Sequence, residues 1–122
     1  MMKMDLHLHS HASNKSAGFF SQKIGINESY VKPQELYDTL FQRGMTHFTI
    51  TDHDSIEGCL EIAHLPNTFL SEEVTAYFPE DRCKIHVLCF DLTEAIHEDL
   101  QRLRYNVYEL VDYLQQNQIT HS

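Results

Sequence analysis

The sequence predicts an α/β protein whose strands lie parallel in one sheet covered by helices. Segments rich in β-branched and aromatic residues alternate along the chain with segments whose apolar residues recur at helical spacing. Histidine or carboxylate side chains lie at, or just after, the ends of several predicted strands. In a parallel sheet those ends open onto one face, so the pattern predicts that distant residues form one site there.

About four strands are predicted. The first covers residues 4–8 and the second, which is β-branched and aromatic, covers residues 46–51. The third and fourth cover residues 68–76 and 84–92 and are joined by a turn through Pro79. These segments are expected to build the sheet.

Three helices are predicted. Pro33 suits the first turn of a helix over residues 33–43. Asp54, followed three residues later by Glu57, has the form of a capping box and predicts that a second helix starts there. The third helix has the most regular apolar stripe and should span residues 94–117.

Size and charge narrow the class of protein. The 122 residues suffice for a single domain, 1–122, and the formal net charge of −9 argues against binding to nucleic acid or to an anionic membrane. We find no apolar run of membrane-spanning length and no signal-peptide pattern, and the odd number of cysteines suits a reducing compartment. A cytoplasmic location is expected.

His7 and His9 are the first candidate metal ligands. They lie two residues apart on a predicted strand, so both imidazoles point to the same face at a spacing suited to chelation of one cation. Asp5 shares their parity and could orient one of them. Alone, such a pair is equally typical of ordinary strand histidines.

Further candidates follow the later strands. His53 lies just past the second strand, between Asp52, which is either a turn residue or a partner of a ligand, and the helix-capping Asp54. On the third strand, periodicity alone does not decide between Glu72 and Glu73. His86 interrupts an apolar strand, where a buried imidazole requires a partner.

The other histidines are expected to lie outside the site. His47 opens a strand, and His64 and His97 lie on or beside helices, where solvent exposure is the ordinary expectation. His11 would lie on the same strand face as His7, but it comes after the end of the predicted strand.

In their order along the chain, the strings DLHLHS at residues 5–10, ITDHD at 50–54, EVT at 73–75 and IHVL at 85–88 resemble the first motifs of the PHP (polymerase and histidinol phosphatase) domain family. The resemblance covers nearly the whole chain and is nearest to PHP domains at the head of longer proteins, some fused to glycosyltransferase-like regions. It implies a partial, distorted (β/α)7 barrel that is not closed within this chain.

The resemblance also implies a site that holds up to three divalent cations and hydrolyses the phosphoester of a phosphorylated small molecule. It assigns His7 and His9 to one metal, Glu73 to a bridge, His86 to the second metal and His53 to the third, with Glu73 and His53 as catalytic residues. Histidine and carboxylate ligands suit zinc, manganese or iron.

Two departures from the family pattern bear on activity. Many members have Asp or His in the loop after the first motif, where this chain has Asn14, and the later His-Pro and Asp-x-His motifs have no counterpart before Ser122. Weak or absent phosphoesterase activity is therefore expected. The alternatives are a non-catalytic, truncated metal-binding or interaction module, and an amidohydrolase-type hydrolase, which fits the later strings less well.

A long connection and an open edge complete the predictions. Residues 10–32 form a long connection in which Lys15 and Lys23 could meet an anion.

Four parallel strands would leave an edge and an apolar face uncovered. Two copies are therefore expected to associate through the open side of the half-barrel.

Overall fold

A computed structural model describes residues 1–13 and 31–122 of the chain. The elements with defined bounds are the helices α1 (Pro33–Gln42), α2 (Glu57–Ile62), α3 (Glu94–Leu103) and α4 (Val107–Gln116) and the strands β1 (Leu70–Tyr77) and β2 (Lys84–Leu92). The predicted helix over residues 33–43 is thereby confirmed, as are strands close to residues 68–76 and 84–92.

β1 and β2 form an antiparallel hairpin. Thr75 is paired with His86 and Val74 with Val87, and the register shifts once, between Leu70 and Ser71. Because side chains alternate across a strand, Glu73, Thr75 and His86 share one face of the hairpin. The opposite face carries Val74, Ala76, Val87 and Cys89, which are buried, and also Glu72.

The apolar face of the hairpin packs against α3 and α4. This first hydrophobic cluster is built from buried side chains of all four elements, among them Val74, Val87, Leu100, Leu110 and Leu114. Leu100, Leu110 and Leu114 are fully buried, so the two helices and the hairpin are held mainly by removal of these side chains from water.

A second hydrophobic cluster lies under α1 and α2. Tyr37 and Leu40 of α1 meet Cys59 and Ile62 of α2 around Phe48 and Ile50. The segment that carries Phe48 and Ile50 leads directly to Asp52 and His53. The cluster therefore fixes the position from which that polar segment starts.

The expectation of a partial, distorted (β/α)7 barrel with about four parallel strands and three helices is wrong. In residues 1–13 and 31–122 the sheet has two strands, β1 and β2, which run antiparallel, and four helices have defined bounds. Residues 78–83 are too few for the crossover that two parallel strands require, about a dozen residues or more. The hairpin connection therefore decides the strand direction.

The predicted strands at residues 4–8 and 46–51 are also wrong, although the two segments lie side by side. At one end the Thr46 hydroxyl accepts from the backbone N–H of Lys3, and at the other the Thr51 hydroxyl accepts from the N–H of Leu8. These threonine hydroxyls thus accept hydrogen bonds from backbone N–H groups that would donate to backbone carbonyls in a strand ladder. Parallel pairing remains as two isolated bridges to the 68–77 region, Phe48 with Thr68 and His53 with Glu73.

Two helix predictions need correction. The predicted helix over residues 94–117 is two helices, because Asn106 caps α4 by accepting from the N–H groups of Tyr108 and Glu109. Asp54 caps no helix: the N-cap of α2 is Ile56, which offers no side-chain hydrogen bond.

In the part of the chain that is described, we find no helix both long enough and apolar enough to cross a membrane.

Two copies were expected to associate through the open side of a half-barrel. The described residues form no half-barrel, so the structure does not support that reason for association. The oligomeric state stays a prediction.

Candidate metal centre

His7 and His9 meet the carboxylate of Glu73. Nε2 of His7 lies 3.0 Å and Nε2 of His9 3.2 Å from Oε2 of Glu73. The two Nε2 atoms are 3.3 Å apart. Three potential ligand atoms thus face one another, an arrangement that suits one bound cation.

His53 and His86 approach the same carboxylate from another direction. Nδ1 of His86 lies 3.3 Å from Oε1 of Glu73, and Nδ1 of His53 lies 3.9 Å from Oε2. These three residues form a second group able to hold a metal ion. The structure thereby places the other four sequence-predicted ligands around Glu73.

Glu73 is central because of where β1 places it. It is 5% exposed and lies on the face of the hairpin turned away from the first hydrophobic cluster. Its backbone N–H donates to the carbonyl of Asp52, and its carbonyl accepts from the N–H of Asp54. These two bonds hold the 52–54 segment, with His53, beside the Glu73 side chain.

The site is open to solvent on one side. The side chains of His7 and His86 are 57% and 51% exposed, whereas those of His9 and His53 are 17% and 20% exposed. Because the exposed side chains of His7 and His86 border the buried carboxylate of Glu73, a small molecule can reach the candidate ligand atoms from the solvent.

Ser13 orients His9. Its hydroxyl donates to Oδ1 of Asp52 at 2.6 Å and lies 2.9 Å from Nδ1 of His9. Because the single hydroxyl proton is directed to the carboxylate, the oxygen accepts from an Nδ1–H. Nε2 of His9 is then the atom with the free lone pair, and it is the atom that faces Glu73.

Burial favours the neutral form of His9, which is the form that binds metals. Burial lowers its pKa below the ordinary value, and the neighbouring His53 adds to this effect. The carboxylates of Glu73 and Asp52 act in the opposite direction but are outweighed. Neutral imidazole is the state that a cation requires, so a cation bound here would not first have to displace a proton from His9.

Asp52 is a buried anchor rather than a turn residue. It is 1% exposed and accepts three hydrogen bonds of 2.6 Å, from the Ser10 N–H, the Ser10 hydroxyl and the Ser13 hydroxyl. Gly58 of α2 packs directly on this group: a Cβ there would lie 2.5 Å from Oδ2 of Asp52. Asp52 therefore holds residues 10–13 by hydrogen bonds and packs against the start of α2.

Glu72 faces the other way and has its own partners. It is fully buried, and Oε2 lies 2.5 Å from Nδ1 of His97, while Gln101 donates to Oε1. Burial raises the pKa of Glu72, and the hydrogen bond to Glu72 raises the pKa of His97. The expectation that His97 is merely solvent-exposed is therefore wrong. Packing decides between the two glutamates, because the face of β1 that carries Glu73 meets the histidines and the face that carries Glu72 meets His97.

The remaining candidates lie outside the two ligand groups. The carboxylate of Asp5 accepts from the backbone N–H of His7 and not from its ring, and Asp54 accepts from the N–H of Thr75. His11 lies 3.6 Å from Glu61, and the ring of His47 contacts Thr46. Asn14, Lys15 and Lys23, which the sequence analysis named, lie outside the described residues.

Sequence reasoning missed the role of Ser13. A serine four residues after a candidate ligand is a weak signal, because its contact with Asp52 joins residues 39 apart in sequence.

Comparison with models of protein families finds none that matches this chain. A search of curated proteins also finds no match.

Proposed function

We propose that this chain binds divalent transition-metal ions at His7, His9, His53, Glu73 and His86 and uses them to hydrolyse phosphoesters, as a PHP-type metal-dependent phosphoesterase. The motif order along the sequence suggests the family, and the donor set suits zinc, manganese or iron. Glu73 and His53 are the proposed catalytic residues.

One observation carries the proposal: the two oxygens of Glu73 face different histidines. Oε2 is within 3.2 Å of His7 and His9, and Oε1 is 3.3 Å from His86. A carboxylate in this position can be shared between two ligand groups. Sites with two neighbouring cations are typical of enzymes that cleave phosphate esters.

The residues of the chain supply positioning and charge. Ser13 keeps Nε2 of His9 free, the hairpin fixes Glu73 against His86, and the exposed edges of His7 and His86 leave the ligand atoms accessible. Bound cations would stabilise the negative charge that develops on the phosphoryl oxygens.

Metal content tests the binding step. After equilibration with zinc or manganese and removal of free ions, elemental analysis of the wild type should find bound metal. Glu73→Gln should lose most of it, since both groups share this carboxylate. His7→Ala and His86→Ala should each lose part, and His47→Ala, a histidine outside both groups, should lose none. Equal content in all variants would contradict the proposed ligands.

Hydrolysis tests the chemistry. The metal-loaded wild type should release phosphate from p-nitrophenyl phosphate, and His9→Ala should abolish the release while His47→Ala retains it. Bound metal with no hydrolysis would contradict the phosphoesterase and favour a non-catalytic metal-binding module, which is the second candidate function.

A further inference from the structure

A cavity adjoins the second ligand group. It has a volume of about 310 Å³, with His53 and His86 on its wall together with Lys84, Arg104 and Tyr77. A pocket of a few hundred Å³ suits a small organic molecule. A molecule seated on the ligand histidines would therefore extend toward two cationic side chains.

Arg104 is held in place by its neighbours. Its guanidinium lies 4.7 Å from the ring centroid of Tyr105 and 5.9 Å from that of Tyr77, and Nη1 donates to the carbonyl of Thr75. Such stacking fixes the plane of the guanidinium, which limits the side-chain entropy lost when an anion binds.

Lys84 is the more available of the two cations. It is exposed at the first position of β2, two residues before His86 and therefore on the same face of the strand. Within residues 1–13 and 31–122, no carboxylate forms an ion pair with it. Its ammonium group is free to meet a ligand.

The charge of this cavity differs from that of the chain. The protein has a net charge of −9 and only nine Lys and Arg residues, yet two of them line this cavity. The carboxylate in the lining, Asp54, is engaged: Oδ1 accepts from the N–H of Thr75, and Oδ2 lies 3.8 Å from Arg104. A neighbouring cavity is lined instead by Glu57, Glu94 and Glu98.

We infer that Lys84 and Arg104 form a subsite for a second anionic group, so that the preferred substrate is a small phosphoester that also carries a phosphate or a carboxylate. The inference rests on the proposed function, since the first phosphate is the one bound at the metal-ligand residues. Guanidinium and ammonium groups bind both kinds of anion through charge-assisted hydrogen bonds.

Binding of three matched compounds tests the subsite. Propyl phosphate, propane-1,3-diyl bisphosphate and 3-phosphonooxypropionate differ only in the group at the far end. By calorimetry on zinc-loaded protein, we expect one or both of the doubly anionic compounds to bind about tenfold more tightly than propyl phosphate. Which of the two binds more tightly distinguishes phosphate from carboxylate. Equal affinity for all three would overturn the inference.

Variants at Lys84 separate the subsite from general electrostatics. Lys84→Gln should remove most of the advantage of the doubly anionic compounds without changing the affinity for propyl phosphate or the zinc content. Lys84→Arg should restore the advantage. Arg43→Gln, which makes the same charge change at an exposed residue outside the cavity, should leave it intact. An equal loss in Arg43→Gln would overturn the inference.

A second measurement keeps the two proposals distinguishable. If zinc fails to bind, the proposed function is wrong, and the subsite is tested by titrating metal-free protein with the bisphosphate while following the ¹⁵N signals of Arg104 Nε–H and the Lys84 amide. Shifts that disappear in Lys84→Gln support the subsite. No shift in either protein would overturn it.

Discussion

The hydroxyl of Ser13 lies 2.9 Å from Nδ1 of His9, on the side of the imidazole ring opposite the Nε2 atom that faces Glu73. The same hydroxyl donates to the buried Asp52 and accepts from the backbone N–H of His53. One small side chain thus links two candidate ligands to a buried carboxylate. It determines which nitrogen of His9 is free.

Ser13→Ala should weaken metal binding. Without the hydroxyl, Nδ1 of His9 loses its acceptor and the ring can adopt the other tautomer, so we expect zinc affinity to fall about 10- to 100-fold. Competition with a chromophoric chelator measures this. Ser55→Ala, which removes a hydroxyl bonded to the Glu57 amide, is the matched control and should bind as the wild type does. An unchanged affinity in Ser13→Ala would show that the hydroxyl does not position His9.

Gly58→Ala should destabilise the protein even though alanine favours helices. The new Cβ would lie 2.5 Å from Oδ2 of Asp52 and 2.6 Å from the Ser10 hydroxyl, both of which are buried and hydrogen-bonded to each other. We expect a loss of about 1–3 kcal/mol in the free energy of unfolding, measured by urea denaturation. A gain in stability would mean that the packing around Asp52 and Ser10 can accommodate the new Cβ.

His97 should make stability depend on pH. Its pKa is raised by the hydrogen bond to Glu72, and the carboxylates of Glu72, Glu98 and Asp54 all act in that direction. Protonated His97 therefore stabilises the fold fully below its unfolded pKa of about 6.5, and this stabilisation is lost as the pH rises through the folded value.

The comparison of variants isolates this contribution. In the presence of a chelator, His97→Gln should lose less stability than the wild type as the pH rises from about 6, while His64→Gln, at an exposed histidine, should follow the wild type. Thermal unfolding at a series of pH values measures both. Parallel curves for wild type and His97→Gln would exclude the His97–Glu72 pair as the cause.

Leu110→Ala tests the packing of α4 on the hairpin. Leu110 is fully buried in the first hydrophobic cluster, so its truncation should cost about 2–5 kcal/mol. Gln115→Ala, at an exposed position of the same helix, should change stability by no more than about 0.5 kcal/mol. A small effect at Leu110 would show that the helix packs loosely.

The candidate ligands could be picked out from the sequence because each belongs to a short string with unusual chemistry. His7 and His9 alternate with leucines, and His86 stands in an apolar strand. The choice of Glu73 over Glu72 required the structure. Parity places the two on opposite faces, but only packing shows which face meets α3 and α4 and which meets the histidines.

The sheet was predicted less well because strand direction depends on the length of the connection. The turn through Pro79 left too few residues for a crossover, and this outweighs the parallel arrangement that the motif order implied. Hydroxyl groups of Thr46 and Thr51 capture backbone donors that the propensity pattern assigned to a ladder. Propensity records residue type and contains no information on such long-range hydrogen bonds.

The described residues form two hydrophobic clusters, and Leu70 packs against both of them. Polar contacts also join the two clusters. The backbone N–H of Phe69 donates to the carbonyl of Phe48, and three further hydrogen bonds lie near the candidate site: Glu73 N–H to the Asp52 carbonyl, Asp54 N–H to the Glu73 carbonyl, and Thr75 N–H to the Asp54 carboxylate. Three of these contacts also hold His53 beside Glu73. A substitution in residues 52–54 is therefore expected to change both the cooperativity of folding and the affinity for a cation.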